Sequence, residues 1–270
     1  MTRADTDTDT GTGTDDGSRA DAGAAVNADT RTTRATAVRA GVDHLIVLAT
    51  DLAAGVQWCE DMLGVHPTAG GEHPLMGTHN RIINISSPAH PRAYLEVIAI
   101  NPRANKSIPS SARRWFDMDD PTLQQQVAQH GPQLIHWVAS VPDVAAQCAA
   151  LTPLGVARGT IIMASRPTLQ GVLQWQITVR DDGLRLMDGC LPTLIQWGAV
   201  HPCDSLPGCG VQLQTLTLQH PQAATLQAAC VAIGLPRQTV AVAHSDAPRI
   251  TAQLATPRGA ITLSSLTPKA

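Results

Sequence analysis

Two histidines sit where an imidazole could do chemistry. His44 is the lone imidazole of the apolar run Val42–Ala49, and His136 is the lone imidazole of Leu134–Ser140. Each lies seven residues before an aspartate, His44 before Asp51 and His136 before Asp143. A neutral imidazole offers one lone pair to a metal or a proton and one N–H to an acceptor. Glu96 lies inside another apolar run, Ala93–Ile100. A carboxylate buried there needs a cation, a hydrogen-bond donor or a shifted pKa. His73, Thr78, His79 and Asn80 cluster in a stretch punctuated by Gly and Pro, and Arg114 precedes Trp115 and Phe116. Loops of that kind carry function disproportionately, and an arginine there could clamp a carboxylate or enolate. Each residue also has a plainer reading: satisfied core histidines, a Glu96–Arg81 pair, Thr and Asn shaping a turn, and a solvated Arg114. The repeat of both histidines in register weighs against coincidence.

The elements that must position these groups repeat as well. Val42–Ala49 reads as a strand, period two placing His44 on the face of Ile46 and Leu48. Thr50 or Asp51 can cap the helix that follows, which carries Leu52, Val56, Cys59, Met62 and Leu63 and stops at Gly64. The second copy runs from Leu134 through Pro142-Asp143 to Gly155, and a third pass, Leu213 to Gly234, places Thr215 where the histidine stood. In the first unit strands follow at residues 65–71, 81–86 and 93–100, with residues 72–80 as a polar loop. In the second they lie near 156–164, 172–180 and 191–199. A connector, 101–131, carries a helix at 121–129. In the third unit strands lie near 238–243, 249–255 and 260–265, with Thr215 and Leu263 where the first unit has His44 and Glu96, so this unit cannot build the same site.

Composition excludes several classes. The net charge of −3 over 270 residues gives no basic surface for nucleic acid or an acidic membrane. No apolar run approaches the roughly 20 residues of a membrane span. Six cysteines without a C-x-x-C pair read as reduced packing residues of a cytoplasmic protein. Residues 1–40 are mostly Thr, Asp, Ala, Gly and Arg, with hardly an apolar side chain larger than Val, a disordered tail in expectation, with no apolar core of a signal peptide.

Tandem βαβββ units with His on the first strand and Glu on the fourth resemble the vicinal oxygen chelate superfamily, which includes glyoxalase I, extradiol dioxygenases and bleomycin-resistance proteins. His73-Pro74-x-x-Gly77-Thr78-x-Asn80-Arg81, Tyr94-Leu95-Glu96 and Arg114-Trp115-Phe116 look like its glyoxalase-like-domain branch, across residues 40 to 200. The resemblance implies that the first two units pair around a cleft, each giving metal ligands from its first and fourth strands. Those positions are His44 and Glu96, and His136 and Gln196. Gln196 departs from the pattern, since a carboxylate is usual there. Two neutral imidazoles, a carboxylate and an amide oxygen suit a divalent metal: Zn, Fe(II), Ni or Mn. Trp137 and Trp197, adjacent along their strands, are expected on the opposite face.

The expectations are therefore specific. The fold class is α+β, three βαβββ units with mixed sheets curved around a cleft and helices on the outer face. The third unit, residues 210–266, either meets its copy in a homodimer or packs on the first two and extends their sheet. The function expected is a metalloenzyme acting on a small enolisable carbonyl compound, a lyase or isomerase with Glu96 as both ligand and base. His73, Thr78, His79, Asn80 and Arg114 would contact substrate. The composition of two histidines and one carboxylate also fits an Fe(II) dioxygenase, and a non-catalytic small-molecule-binding resistance protein is the third alternative.

Overall fold

A computed structural model describes residues 39–104, 113–168 and 171–266. The expected disordered tail, up to residue 38, lies outside the described residues, as do 105–112 of the connector. The first unit contains β1 (Gly41–Leu48), α1 (Leu52–Trp58, continued by a wider turn to Leu63), β2 (Thr68–His73), β3 (Thr78–Asn84) and β4 (Tyr94–Ile100). After α2 (Pro121–His130), the second contains β5 (Gln133–Ser140), α3 (Val144–Leu151), β6 (Thr160–Thr168), β7 (Gly171–Val179) and β8 (Thr193–Trp197). The local signals act as read. Asp51 Oδ1 accepts from Ala54 N at 2.8 Å and Asp143 Oδ1 from Ala146 N at 2.9 Å. Gly64 and Gly155 close the two helices at φ of 73° and 69°, where a side chain would be strained.

These strands form one mixed eight-stranded sheet in the order β2-β3-β4-β1-β5-β8-β7-β6. The two units thus join edge to edge through the antiparallel β1–β5 pair, while within each the first and fourth strands run parallel. Alternation sorts the side chains. Leu45, Val47, Leu95 and Trp137 point to one face and join a large core with the helices. Ile46, Leu48, Ile98, Val138, Ile177 and Ile195 point to the other, where Phe116, Met118 and α2 cover part of them.

One reading is corrected here. Residues 72–80 are not a loop after a Gly-Gly break, because β2 runs through Gly70 and Gly71 to His73 and β3 begins at Thr78. The glycines are there for close approach. A Cβ on Gly70 would fall 1.9 Å from Asn80 Oδ1, and one on Gly71 would fall 1.3 Å from Arg166 Nη1.

The third unit comprises β9 (Gln212–His220), α4 (Ala223–Ala232), β10 (Ala241–His244), β11 (Arg249–Thr256) and β12 (Gly259–Ser264). It keeps the element order but changes the strand order, to β10-β9-β11-β12 in a separate sheet. Its Leu213, Leu216, Leu218, Leu226 and Ile250 share the large core with Leu45 and Trp137. Leu213 N also donates to Ile85 O at 2.8 Å. The unit packs against the first two on the side away from the cleft, and contrary to expectation it forms its own sheet and does not extend theirs. No helix among the described residues is long and apolar enough to cross a membrane.

Candidate active site

The cleft face of β1 carries His44 in a chain of buried polar groups. His44 Nδ1 lies 2.7 Å from Asp43 Oδ1, and its Nε2 lies 3.3 Å from Glu96 Oε2. Asp43 neighbours His44 in sequence, so a regular strand would send it to the opposite face. A bulge between Val42 and His44 in the β1–β5 ladder turns it to the same side. Asp43 Oδ2 then receives Trp197 Nε1–H at 2.8 Å and faces His201 Nε2 at 3.2 Å. Glu96 Oε1 receives the Asn80 amide at 2.6 Å, and Asn80 Oδ1 accepts Gly71 N–H at 2.6 Å. Tyr94 stacks on the His44 ring with centroids 4.4 Å apart.

Burial and pairing set the charges. Burial alone disfavours the His44 imidazolium, but the bonds to Asp43 and then Glu96 outweigh it and raise its pKa to about 9. Burial would raise Asp43, yet hydrogen bonds from His201 and His44 hold it at about 2. Burial likewise opposes the Glu96 anion, and the His44 bond brings its pKa below the usual carboxylate range. Near neutrality the group is an imidazolium between two carboxylates. His73 completes it from β2: Nδ1 meets Thr78 Oγ1 at 3.0 Å, and Nε2 stands 3.9 Å from Glu96 Oε1. Burial pulls the His73 pKa down, leaving a neutral imidazole beside the carboxylate.

This polar floor bounds a cavity of roughly 50 Å³, walled by Trp115, Phe116, Trp175 and Trp197. His73, Trp115, Arg166, Trp175 and Ile177 also line a wider apolar recess of about 460 Å³ that adds Met76, Ile162 and Val179. The two spaces form one cleft, with its titratable groups at the deep end. Arg166 reaches in from β6 and lies across Gly71 of β2. Trp115 Nε1 is buried without an acceptor among the described residues.

The structure brings His44, Glu96, His73 and Asn80 together, with Thr78 supporting His73. It does not bring in the rest. His136 is buried in the second unit, donating Nδ1–H to Gly189 O at 2.9 Å, while its Nε2 accepts from the Thr193 hydroxyl at 3.0 Å and Thr193 N at 3.2 Å. Its lone pair is in use, and burial holds it neutral. Gln196 points to the helix side, its Oε1 accepting Val144 N–H at 3.0 Å. The ladder explains why. Ile46, two after His44, pairs with Glu96, whereas Val138, two after His136, pairs with Thr193. The counterpart of Glu96 is therefore Thr193, and Gln196 is an odd three residues further on, facing the opposite way. The same offset puts Trp197 in the cleft, contrary to expectation, while Trp137 does face the core, its Nε1 donating to Cys190 O at 2.8 Å. Arg114 is engaged by Asp119, and neither it nor His79 lines the cleft.

These donors do not fit the expected metal. Of the four, only His44 and Glu96 meet, and they bond each other. Among the described residues no group of three or more His, Cys, Asp or Glu is arranged to hold an ion.

Sequence reasoning missed Asp43, Tyr94, Arg166 and His201 as members of this cleft. Tyr94, two residues before Glu96 on the same strand, was reachable by period-two alternation.

The family comparison agrees with the fold. A family described as "Glyoxalase-like domain" matches residues 42–234. Among solved structures, a hypothetical protein from Staphylococcus aureus is 16% identical over 83% of this chain and 85% of its own, with a TM-score of 0.48. A methylmalonyl-CoA epimerase in complex with methylmalonyl-CoA and NH4+ is 18% identical over 61% of this chain and 99% of its own, at 0.37. The epimerase from Mycobacterium tuberculosis is 16% identical over 62% and 93%, at 0.34. Such distant overlaps carry nothing about chemistry. No curated protein matches the chain. With two βαβββ units joined edge to edge and a family match across both, this chain belongs to the glyoxalase-like domain family of the vicinal oxygen chelate superfamily.

Proposed function

We propose that the cleft is the active site of an enzyme that moves a proton at the carbon beside a carbonyl, in a small compound with an apolar body and an anionic or oxygen-rich head. The observation that carries this reading is the Asp43–His44–Glu96 chain at the deep end of an apolar cleft. Epimerisation, isomerisation and lyase chemistry all begin with that proton transfer. The apolar recess would hold the body of the compound, and Arg166 with Trp115 Nε1–H would meet its oxygens. In the bound complex a carbonyl oxygen at His44 Nε2 would take the N–H that now faces Glu96 at 3.3 Å. The imidazolium would then stabilise the enolate oxygen as it forms. Glu96, released from that contact and still held by Asn80, would regain basicity and accept the carbon-bound proton. Asp43 keeps His44 charged and oriented throughout.

The reading is tested in D2O by proton NMR. The protein is incubated with short-chain 2-oxo acids, β-keto acids and the hemithioacetals of 2-oxoaldehydes. Enzyme-dependent exchange of the proton beside the carbonyl, lost in Glu96→Gln, is the expected result. Compounds that bind with measurable affinity but exchange no faster than in buffer would instead make the protein a non-catalytic binder.

A further inference from the structure

The second unit contains a cation that no group among the described residues neutralises. Arg158 is 6% exposed, and its Nε and Nη1 are buried without any partner. Its remaining nitrogen, Nη2, lies 3.3 Å from Thr193 Oγ1. It borders a small cavity of roughly 20 Å³, together with His136, Thr178, Arg180, Arg185 and Thr193. No carboxylate among the described residues lines this space. The two arginines that line it are paired elsewhere, Arg180 with Asp182 and Arg185 with Asp117. Desolvation is accordingly felt at Arg158, whose pKa falls to about 10.

The place of this cavity in the repeat says what it lacks. In the first unit a histidine on the first strand meets a carboxylate on the fourth. In the second the equivalent pair is His136 and Thr193, and Arg158 reaches Thr193 where the carboxylate charge would have stood. A buried guanidinium with free N–H groups is costly unless an anion meets it.

We propose that this cavity binds a small monovalent anion, a halide or the planar head of a carboxylate, in the place that Glu96 occupies in the first unit. Arg158 Nε and Nη1, buried without a partner among the described residues, are the donors it would satisfy. A cavity of roughly 20 Å³ admits about one water-sized group, too little for a tetrahedral sulfate or phosphate. Trp115 and Phe116 line both this cavity and the Glu96 floor, so an anion here would brace the wall between them. The proposal stands independently of the chemistry assigned to Glu96.

The test uses the whole chain at constant ionic strength in sodium sulfate, titrated with sodium chloride or sodium formate, with Tm read by scanning fluorimetry. Replacing sulfate by a less excluded salt lowers Tm in the absence of binding. A saturable rise on the order of 5 °C for chloride, formate or both is the expected result, and its absence in Arg158→Met assigns the site. Which ion raises Tm tells a halide site from a carboxylate site. Should Arg158→Met not fold, chloride-35 line broadening on the wild-type protein, reversed by formate but not by sulfate, reads occupancy directly. A monotonic fall in Tm without chloride broadening, or the same rise in Arg158→Met, overturns the proposal.

Discussion

His44 stands between two carboxylates, its Nε2 3.3 Å from Glu96 and its Nδ1 2.7 Å from Asp43, with Glu96 fixed on its far oxygen by Asn80 at 2.6 Å. A single strand bulge creates this arrangement, since without it Asp43 would face the helices. The imidazolium is thus a structural charge as well as a chemical one, and stability should report it.

The pH dependence has a defined sign. The pKa of His44 is raised from 6.5 to about 9 in the folded protein. Its contribution is therefore complete below about 6.5 and is lost as pH rises through about 9. That shift corresponds to an upper bound of about 3 kcal/mol. Asp43, lowered to about 2, contributes above its ordinary pKa and loses its part only as pH falls through about 2. Urea denaturation is predicted to show a stability decline between pH 6.5 and 9 that His44→Gln flattens. A wild-type protein equally stable across that range would show that His44 is not held as the cation.

Glu96→Gln and Asp43→Asn should separate base from positioning residue. If Glu96 takes the proton, its amide loses roughly 10²–10⁴ of kcat. Asp43→Asn leaves Glu96 in place but removes the main support of the His44 charge, moving the alkaline limb of kcat/KM to lower pH with a smaller loss in kcat at the optimum. It should also cost on the order of 3 kcal/mol, because Trp197 and His201 lose a charged acceptor. Unchanged pH profiles in Asp43→Asn would remove it from the mechanism.

Adjacent glycines of β2 make a paired test of the cleft rim. A Cβ at Gly71 meets the end of the Arg166 side chain, which can swing away, whereas at Gly70 it meets the side chain of Asn80 and, at 2.6 Å, its backbone oxygen. Gly71→Ala should fold normally and raise KM for an anionic substrate by moving Arg166. Gly70→Ala should lose roughly 1–3 kcal/mol and displace the amide that fixes Glu96. Thermal melts together with KM check both, and a normal KM in Gly71→Ala would take Arg166 out of substrate binding.

What the sequence made legible here is local. Asp51 and Asp143 announce their helices because a cap bond spans only three residues, and His44 shares a face with Ile46 because strand alternation is a two-residue rule. Glu96 was reachable as an acid in an apolar strand. Asp43 was not, since alternation gives the wrong face for a bulged residue. Arg166 and His201 arrive from elements 70 and 105 residues beyond Glu96, where no local pattern records the approach. Thr193 was hidden for another reason: β8 is five residues long, too short for its own pattern to reveal which residue pairs with Val138.

That register error yields the last prediction. Gln196 was expected in a ligand position, yet its side chain bonds Val144 N–H, one of the free donors at the start of α3, directly after the Asp143 cap. Gln196→Ala should therefore cost about 1 kcal/mol through the helix end and leave turnover unchanged. Thr193→Val acts elsewhere: it deprives His136 Nε2 of its hydroxyl donor and Arg158 of its acceptor. Two buried groups then lose a partner, so it should cost more, on the order of 2 kcal/mol. Denaturation midpoints of the two variants, with exchange rates measured beside them, decide the register. A catalytic loss in Gln196→Ala larger than in Thr193→Val would mean that the amide, and not the hydroxyl, is the functional counterpart of Glu96.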